Sequence, residues 1–544
     1  MKTIQCIAIW ASAMAALMSY AETPILELTL EDCRQLVIQQ NLEVQASKLG
    51  WKASKALYTG ERQALWEPML VLSADRESNE RENNSERFVS QGVEDFSERN
   101  DIYRIAIEQP LITGGQVQLG YTLRDLNNNL REQRELEGPE RDYEAFLGLV
   151  FTQPLLKNAG HGMAMSMIRM ARAESEVAFQ EWRRQIMQSL GSAEAAYWDL
   201  NIAQRRVQYR EASVQVAEKI LEDNRARLEA GRGGEAEVQQ AEAGLALRQT
   251  QLLEARQNLD EASSRLKTFF AEAVRDGGFA LRAVDEPDLT EVPESGPEIF
   301  EAALSVHPDM LLRKHRVEQE RIRMNYARNQ TLPDVNFQAT YGYNGLGESS
   351  SEAFDKVEEG DFVSWSVGVQ VRMPLGGGRR VRNEYESAKL RAEQGDLMLK
   401  SSEVALSNAL STSLRRVSNH HAQAMNYRRV AELNQTLLET ELARLEAGQS
   451  DSRKVLDTEE RLTEALESAA SSLVRFVVAK IELELSAGIL LTNREMDPMT
   501  QTVPTRVEPD REAHVAEPVP QTLPDQAEPQ TTPERPIQFR PVSR

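Results

Sequence analysis

The residue types that usually carry out chemistry are present in this chain, but they are not arranged for catalysis or for metal binding. The glycine run 376–378 follows a strand-like segment without the Gly-Lys-Ser/Thr ending of a phosphate-binding loop, and we expect it to relieve crowding where a strand becomes a helix. No nucleophile is paired with a base in a recognisable pattern. The six histidines do not stand at zinc-ligand spacing from cysteine or acidic partners: His161, His307, His315, His420, His421 and His514. The sequence therefore predicts no enzyme, no metal and no cofactor.

A repeated motif carries more information than any of these residues. Arg227-Leu228-Glu229-Ala230-Gly231 returns 217 residues later as Arg444-Leu445-Glu446-Ala447-Gly448. A valine follows each glycine after seven residues, and from it an apolar residue recurs at every seventh position: Val238, Leu245, Leu252, Leu259 and Leu266, then Val455, Leu462, Ala469, Phe476 and Leu483. Such heptads predict supercoiled helices, and each glycine predicts a helix end. Each copy is therefore predicted as a long helix, a tight tip and a returning helix, in an internally duplicated chain.

Proline positions delimit these helices. Proline is absent between Pro154 and Pro287 and between Pro374 and Pro498, the two intervals that hold the heptads. The helical pattern runs over 164–230 and 379–447, which corresponds to about 100 Å each. Interior positions rich in Ala, Ser and Leu favour helices packed into a wide, partly hydrated tube. On the helices alone, a rod-like coiled coil remains the alternative.

The N-terminus predicts export. Lys2, an apolar run from residue 4 to 18 and small residues before position 22 indicate a signal peptide that is cleaved after Ala21; an uncleaved anchor is the alternative. The mature chain then keeps one cysteine, Cys33, which is expected to be buried in the first helix. A net charge of -22 and a mean hydropathy of -0.50 disfavour nucleic-acid binding.

Between the helical blocks lie segments in which apolar and polar residues alternate. The clearest are 103–108, 117–124, 335–344 and 363–373, each with an apolar, aromatic-rich face and a polar face. Pro68 to Pro110, Pro110 to Pro154 and Pro333 to Pro374 are intervals of 42, 44 and 41 residues, and each fits one hairpin. The sequence therefore predicts six strands of bilayer-crossing length, joined by polar loops at 79–100, 127–142 and 346–361. Soluble half-buried hairpins would give the same local pattern.

Six strands cannot close a membrane barrel, since the smallest have about eight. Open edges in lipid would leave backbone groups unpaired, so a chain that crosses the membrane with these strands must oligomerise.

The layout resembles the TolC-type outer-membrane efflux proteins (outer membrane factors) from about Leu28 to Leu491. The resemblance rests on the duplicated tips and on three short sequence motifs: Leu28-Thr29-Leu30-Glu31-Asp32, Leu332-Pro333 before a predicted strand, and Pro374-Leu375-Gly376-Gly377-Gly378 after one. It implies a mainly α fold with β, in which antiparallel coiled coils form a periplasmic α-barrel. The strands of a homotrimer would share one β-barrel in outer-membrane lipid.

The resemblance also implies the function. The protein would be a passive exit duct for a tripartite efflux pump or a type I secretion system, joined through a periplasmic adaptor to an inner-membrane pump. The extra hairpin departs from the family, because it would give eighteen strands instead of twelve, or would fold outside the barrel. The alternative function is a periplasmic coiled-coil scaffold without a pore.

Two groups of residues take roles from the resemblance. The first group matches the adaptor-docking motif: Arg227, Leu228, Gly231, Val238, Arg444, Leu445, Gly448 and Val455. The same residues could equally turn the chain and pack neighbouring helices. In the second group, Asp457 matches an acidic position of the periplasmic gate, whereas Lys454 departs from the pattern. Lys454 lies one turn earlier, within reach of Asp457, and would weaken a cation preference set by three Asp457 carboxylates; both can instead be ordinary solvated charges.

The predicted domains follow from these boundaries. In chain order they are the signal peptide 1–21, a first ascending helix 22–65, the first hairpins 66–157, the first long helix with its tip and returning helix 158–275, an equatorial connector 276–296, a second ascending helix 297–332, the second-repeat hairpin 333–377, the second long helix with its tip and returning helix 378–492, and a proline-rich tail 493–544. The tail is predicted to be disordered, either as a tether or without a role.

Overall fold

The computed structural model describes residues 25–82, 94–129, 142–270, 279–290, 292, 297–447 and 449–501. The predicted signal peptide and residues 502–544 of the predicted tail lie outside them. The chain divides into two units, Met1–Met496 and Asp497–Arg544. In the second unit the described residues form a short helix, Pro498–Gln501. Asp497 precedes this helix, and its Oδ1 accepts a hydrogen bond from the Met499 backbone N–H at 2.9 Å.

Helices make up most of the first unit. In chain order they are α1 Leu30–Gln40, α2 Leu42–Ala64, α3 His161–Ala164, α4 Ser166–Glu229, α5 Glu235–Lys267, α6 Pro297–Val306, α7 Pro308–Gln330, α8 Ser350–Glu359, α9 Arg379–Glu446, α10 Ser452–Ala487 and α11 Leu490–Asn493. Within the described residues, no helix is both long enough and apolar enough to span a membrane.

The two longest helices fill the proline-free intervals. α4 has 64 residues and α9 has 68, so each is roughly 100 Å long. α5 packs along α4 and α10 along α9, and each pair is joined by a tight turn. Phe476 and Leu483, two heptad positions of α10, are buried against α9 and α6 in one apolar cluster with Leu410 and Ala303.

A belt of short elements crosses the middle of the helices. Strand β1 (Ile25–Leu28) pairs in parallel with β6 (Ala280–Ala283), which lies within the expected equatorial connector 276–296. Asp285, just after β6, accepts hydrogen bonds from the Tyr197 hydroxyl at 2.5 Å and from the Leu30 N–H at 2.6 Å. Burial of the Tyr197 side chain raises the pKa of its hydroxyl, so this donor stays protonated.

A buried carboxylate holds both ends of the helical region together. Glu194 of α4 accepts from Arg34 Nε at 2.7 Å and from Arg494 Nε at 3.0 Å. Arg494 follows α11 and also pairs with Glu484 at 2.9 Å. Because a buried charge is tolerated only when it is paired, this cluster fixes α1 and the segment after α11 against α4.

The remaining strands form one antiparallel sheet in the order β2-β3-β4-β5-β7-β8. Their bounds are β2 Met69–Glu82, β3 Asp95–Pro110, β4 Gln116–Asn128, β5 Asp142–Pro154, β7 Asp334–Gly347 and β8 Val363–Arg372. Six strands therefore pair side by side, as many as the three hairpins require. Within the described residues, β2 and β8 each have one edge without a neighbouring strand.

The two faces of the sheet differ sharply in polarity. One cross-strand row is apolar from edge to edge: Leu72, Ile105, Tyr121, Leu147, Tyr343 and Val363. The adjacent row on the other face is Ser73, Arg104, Thr122, Phe146 and Asn344, and this face bounds a groove of about 1150 Å³. The apolar face is largely exposed in the protomer; Trp365 of β8 is 72% exposed. A continuous exposed apolar surface of this kind marks an interface with lipid or protein.

The expected polar loops are partly wrong. β2 continues through 79–82 and β3 begins at Asp95, because cross-strand polar pairs such as Arg76–Asp101 at 2.6 Å extend the hairpin beyond its apolar part. Segments 83–93 and 130–141 lie outside the described residues. The third loop contains helix α8: the Ser349 hydroxyl accepts from the Glu352 N–H at 3.2 Å, and Gly360 ends the helix at a φ of 76°.

The glycines after β8 chiefly serve the backbone conformation, and of the three Gly378 also relieves crowding, since a Cβ atom there would lie 3.2 Å from Val381 Cγ2. Gly377 and Gly378 have φ values of 74° and 64°, a region that other residues rarely adopt. A Cβ atom at Gly376 or Gly377 would meet no atom within 4 Å. The turn from β8 into α9 therefore requires glycine for its conformation.

Candidate functional site

The two motif copies lie at the ends of the long helices. At the first tip, α4 ends at Glu229, Gly231 has a φ of 68°, and the Arg232 N–H donates to the Arg227 carbonyl at 2.8 Å. At the second tip, the Gln449 N–H donates to the Arg444 carbonyl at 2.8 Å in the same way. Gly448 lies outside the described residues. The shared hydrogen bond closes the helix end in both copies.

The two tips differ in what they leave exposed. Leu228 is 38% exposed, whereas its counterpart Leu445 is 9% exposed. Val238 is half-buried, and its counterpart Val455 is fully buried. The second tip therefore packs its leucine and valine inside the protomer, and the first tip leaves a leucine available for a partner.

The tips are joined to each other within the protomer. Asn224, which is buried, donates to the Glu237 carbonyl at 3.3 Å and accepts from the Ser452 hydroxyl at 2.8 Å. Val455 and Leu456 pack in one apolar cluster with Leu221 and with other residues of both copies. The structure thus brings together the first tip and the start of α10.

Lys454 pairs with Glu441 rather than with Asp457. Lys454 Nζ lies 3.2 Å from Glu441 Oε1 across the second tip, while the Lys454 N–H donates to Asp451 Oδ1 at 2.8 Å and so caps α10. The Ser450 hydroxyl and then Lys454 hold the pKa of Glu441 below its usual value, so Glu441 stays charged. Asp457 is exposed at the start of α10.

A buried ion-pair network lies behind the tips. Arg248 of α5 contacts Glu459 of α10 through Nη2 at 2.8 Å and through Nε at 2.9 Å, and it donates to the Leu456 carbonyl at 2.8 Å. Both charged side chains are almost fully buried. Glu460 lies 3.5 Å from Arg248 and also pairs with Arg210 of α4 at 3.1 Å. The network ties the returning helices of both copies to α4.

One acid of this network, Glu459, has a counterpart at the equivalent place in the first motif copy. Glu459 stands eleven residues after Gly448, as Glu242 stands eleven after Gly231. The first-copy acid Glu242 makes an exposed pair with Arg225 at 2.6 Å, whereas Glu459 is buried with Arg248. Equivalent motif positions therefore carry different electrostatic roles.

The histidine pair contributes packing. The His421 ring lies edge-on to Phe476 with centroids 5.2 Å apart, and His420 Nδ1 lies 3.2 Å from Gln423 Oε1. Within the described residues, no group of three or more His, Cys, Asp or Glu side chains is placed to hold a metal.

Comparison with known proteins gives a family and a fold. A family model described as "Outer membrane efflux protein" matches residues 140–271 and 299–488. The alkaline protease secretion protein AprF of Pseudomonas aeruginosa is 23% identical over 359 residues, covering 64% of this chain and 71% of AprF. The outer membrane efflux protein BepC of Brucella suis is 24% identical over 221 residues, covering 40% of this chain and 46% of BepC.

A solved structure resembles the fold over most of the chain. The Campylobacter jejuni CmeC outer membrane channel covers 85% of this chain and 86% of its own, with a TM-score of 0.59 and 13% identity. At that identity the likeness concerns the fold, a helix-rich protein with a sheet.

The paired acids give a first prediction. Glu459→Gln removes the carboxylate that balances the buried charge of Arg248, so we expect a loss of roughly 3–5 kcal/mol in the free energy of unfolding. The loss should lie towards the lower end of this range, because the Glu460 carboxylate is also close to Arg248. The matched change Glu242→Gln removes an exposed pair and should cost less than about 1 kcal/mol. Denaturant titration of the purified variants measures both values. Equal losses would contradict a special role for the buried pair.

Proposed function

This chain belongs to the outer membrane efflux protein family, and from that premise we propose how its sheet, helices and tips act as an exit duct. The protein lies in the outer membrane and its helices extend into the periplasm. It conducts exported cargo outward and, in our proposal, adds no chemistry of its own. The inner-membrane machine that it serves, an efflux pump or a secretion system, selects the cargo.

The observation that carries the proposal is the open six-stranded sheet with one apolar face. In lipid, every unpaired backbone group at the edges of β2 and β8 would cost several kcal/mol. Three copies remove this cost if β8 of each pairs with β2 of the next. The result is an eighteen-stranded barrel, a size that leaves an aqueous channel. The apolar rows face lipid and the polar rows face the lumen.

Exposed heptad positions on the helices support the same assembly. Leu42 and Leu49 on α2, and Leu390, Leu397 and Val404 on α9, recur at intervals of seven residues and are all more than half exposed in the protomer. Stripes of this kind are buried between neighbouring helices in coiled coils. In the trimer they lie between protomers, and the helices form a tube below the barrel. The two halves of the chain arose by duplication of one hairpin-and-coil unit.

The tips form the periplasmic mouth. Lys454 pairs with Glu441 instead of with the exposed Asp457 carboxylate. Three Asp457 side chains in a trimer therefore make an acidic ring that favours cations. The periplasmic adaptor docks on the first tip, at Leu228 together with Arg227, Gly231 and Val238. The residues of the second tip chiefly support the first tip: Arg444, Leu445, Gly448 and Val455.

Single-channel recording tests the duct and its gate. In a planar bilayer we expect stable conductance steps with a cation preference that falls in Asp457→Asn. The control Glu254→Gln removes the same charge about 28 Å along α5 from its start and should leave the preference unchanged. If the wild type shows no conductance steps because its mouth is closed, the Gly448→Pro variant should show them. If neither the wild type nor this variant conducts, and the protein stays soluble without detergent, the result would contradict the duct and favour a periplasmic scaffold.

The asymmetry of the tips gives a second test. Leu228→Ser should abolish co-purification of the periplasmic adaptor while leaving the thermal midpoint unchanged, since this side chain lies on the surface. Leu445→Ser should instead destabilise the protein by about 2–5 kcal/mol, the usual cost of truncating a buried leucine. Adaptor binding that survives Leu228→Ser would contradict docking at the first tip.

A further inference from the structure

Helix α8 lies on the apolar face of the sheet, at the end far from the long helices. Its two buried residues, Ala353 and Val357, pack on Ala145 together with Tyr121, Leu123, Tyr143 and Tyr343. These partners belong to the apolar rows of β4, β5 and β7. The loop between β7 and β8 thus folds back onto the apolar face.

The strand beneath the helix is shaped for this contact. A Cβ atom added at Gly345 would overlap the Ala353 carbonyl oxygen, and one at Gly347 would come within 2.6 Å of the Ala353 nitrogen. Glycine at both positions lets the helix backbone approach the strand. The contact is therefore part of the fold.

The two flanks of α8 differ in chemistry. On one flank, Phe354 is 48% exposed and its ring lies edge-on to Tyr121, with centroids 5.7 Å apart. On the other flank, Lys356 pairs with Glu352 at 2.9 Å and donates to the Leu346 carbonyl at 2.7 Å. The aromatic flank points along the apolar face, and the charged flank points to the far end of the strands.

Aromatic side chains surround this position. Tyr341 and Tyr343 on β7 have ring centroids 5.7 Å apart, and Trp365, which pairs with Tyr341 from β8, is more than half exposed. Aromatic residues of this kind concentrate where a membrane meets water. Closer to the long helices, the same face is mainly aliphatic.

We propose that α8 is an interfacial helix that binds the surface of the outer lipid leaflet, with Phe354 in the lipid and the Glu352–Lys356 pair in water. The inference rests on the proposed insertion of the sheet into the outer membrane. We assign lipid as the partner of α8 because this helix covers β5 and β7, two inner strands of the sheet. A neighbouring copy would instead meet the edge strands β2 and β8. The helix fixes how deep the barrel sits in the membrane.

Spin labels on introduced cysteines test this placement. Cys33 is buried and burial raises the pKa of its thiol to about 12, so it stays protonated and the label attaches only to the new cysteine. The variants are Phe354→Cys, Glu359→Cys as the matched position on the water side of α8, and Leu149→Cys as a reference on the apolar face. The protein is placed in vesicles of phosphatidylethanolamine and phosphatidylglycerol, and each label's accessibility to oxygen and to a water-soluble nickel chelate is measured. If Phe354→Cys does not insert, Ser350→Cys reports on the same flank.

The proposal predicts an oxygen-to-nickel accessibility ratio at position 354 that matches position 149 and exceeds position 359 at least several-fold. A ratio at 354 equal to that at 359, with lipid access at 149, would overturn the interfacial helix and leave the insertion intact. A label at 354 shielded from both reagents would overturn it in favour of a protein neighbour. Nickel access at position 149 would overturn the insertion itself.

Discussion

The unpaired backbone N–H and C=O groups along the outer edges of β2 and β8 determine the proposed assembly. A six-stranded sheet with exposed apolar rows is stable in lipid only if its edges find partners, because water cannot satisfy them there. Side chains cannot meet that demand, and a second copy of the same chain can. The trimer and the shared barrel in our account follow from this requirement, and the exposed heptads of α2 and α9 accommodate the same neighbours.

The long helices and the sheet join at four strands. β2, β5, β7 and β8 lead to or from a helix, whereas β3 and β4 are joined by a turn in which the Leu111 N–H donates to the Gly115 carbonyl at 2.8 Å. This turn rests on the chain before α3, where the Gly160 N–H donates to the Thr113 carbonyl at 2.9 Å. β3 and β4 therefore add width to the sheet without adding helices to the chain.

Backbone periodicity was readable from the sequence, whereas side-chain partners were not. Heptads located α5 and α10, the helical pattern in the proline-free intervals located α4 and α9, and period-two alternation located the strands, because each pattern follows directly from backbone geometry. Helix α8 was missed, since its ten residues look like a polar loop and only Ala353 and Val357 are buried. Lys454 pairs with Glu441 across a turn, and Arg248 meets Glu459 from 211 residues away. Contacts of that kind depend on how helices pack, which local spacing does not specify.

The most direct test of the account is a count of the strands and subunits in the assembled particle by single-particle electron microscopy in lipid nanodiscs. The account predicts three copies and a closed ring of eighteen strands, in which β8 of each copy pairs with β2 of the next. A ring of twelve strands with β3 and β4 outside it, or a particle whose β2 and β8 edges stay unpaired, would contradict it.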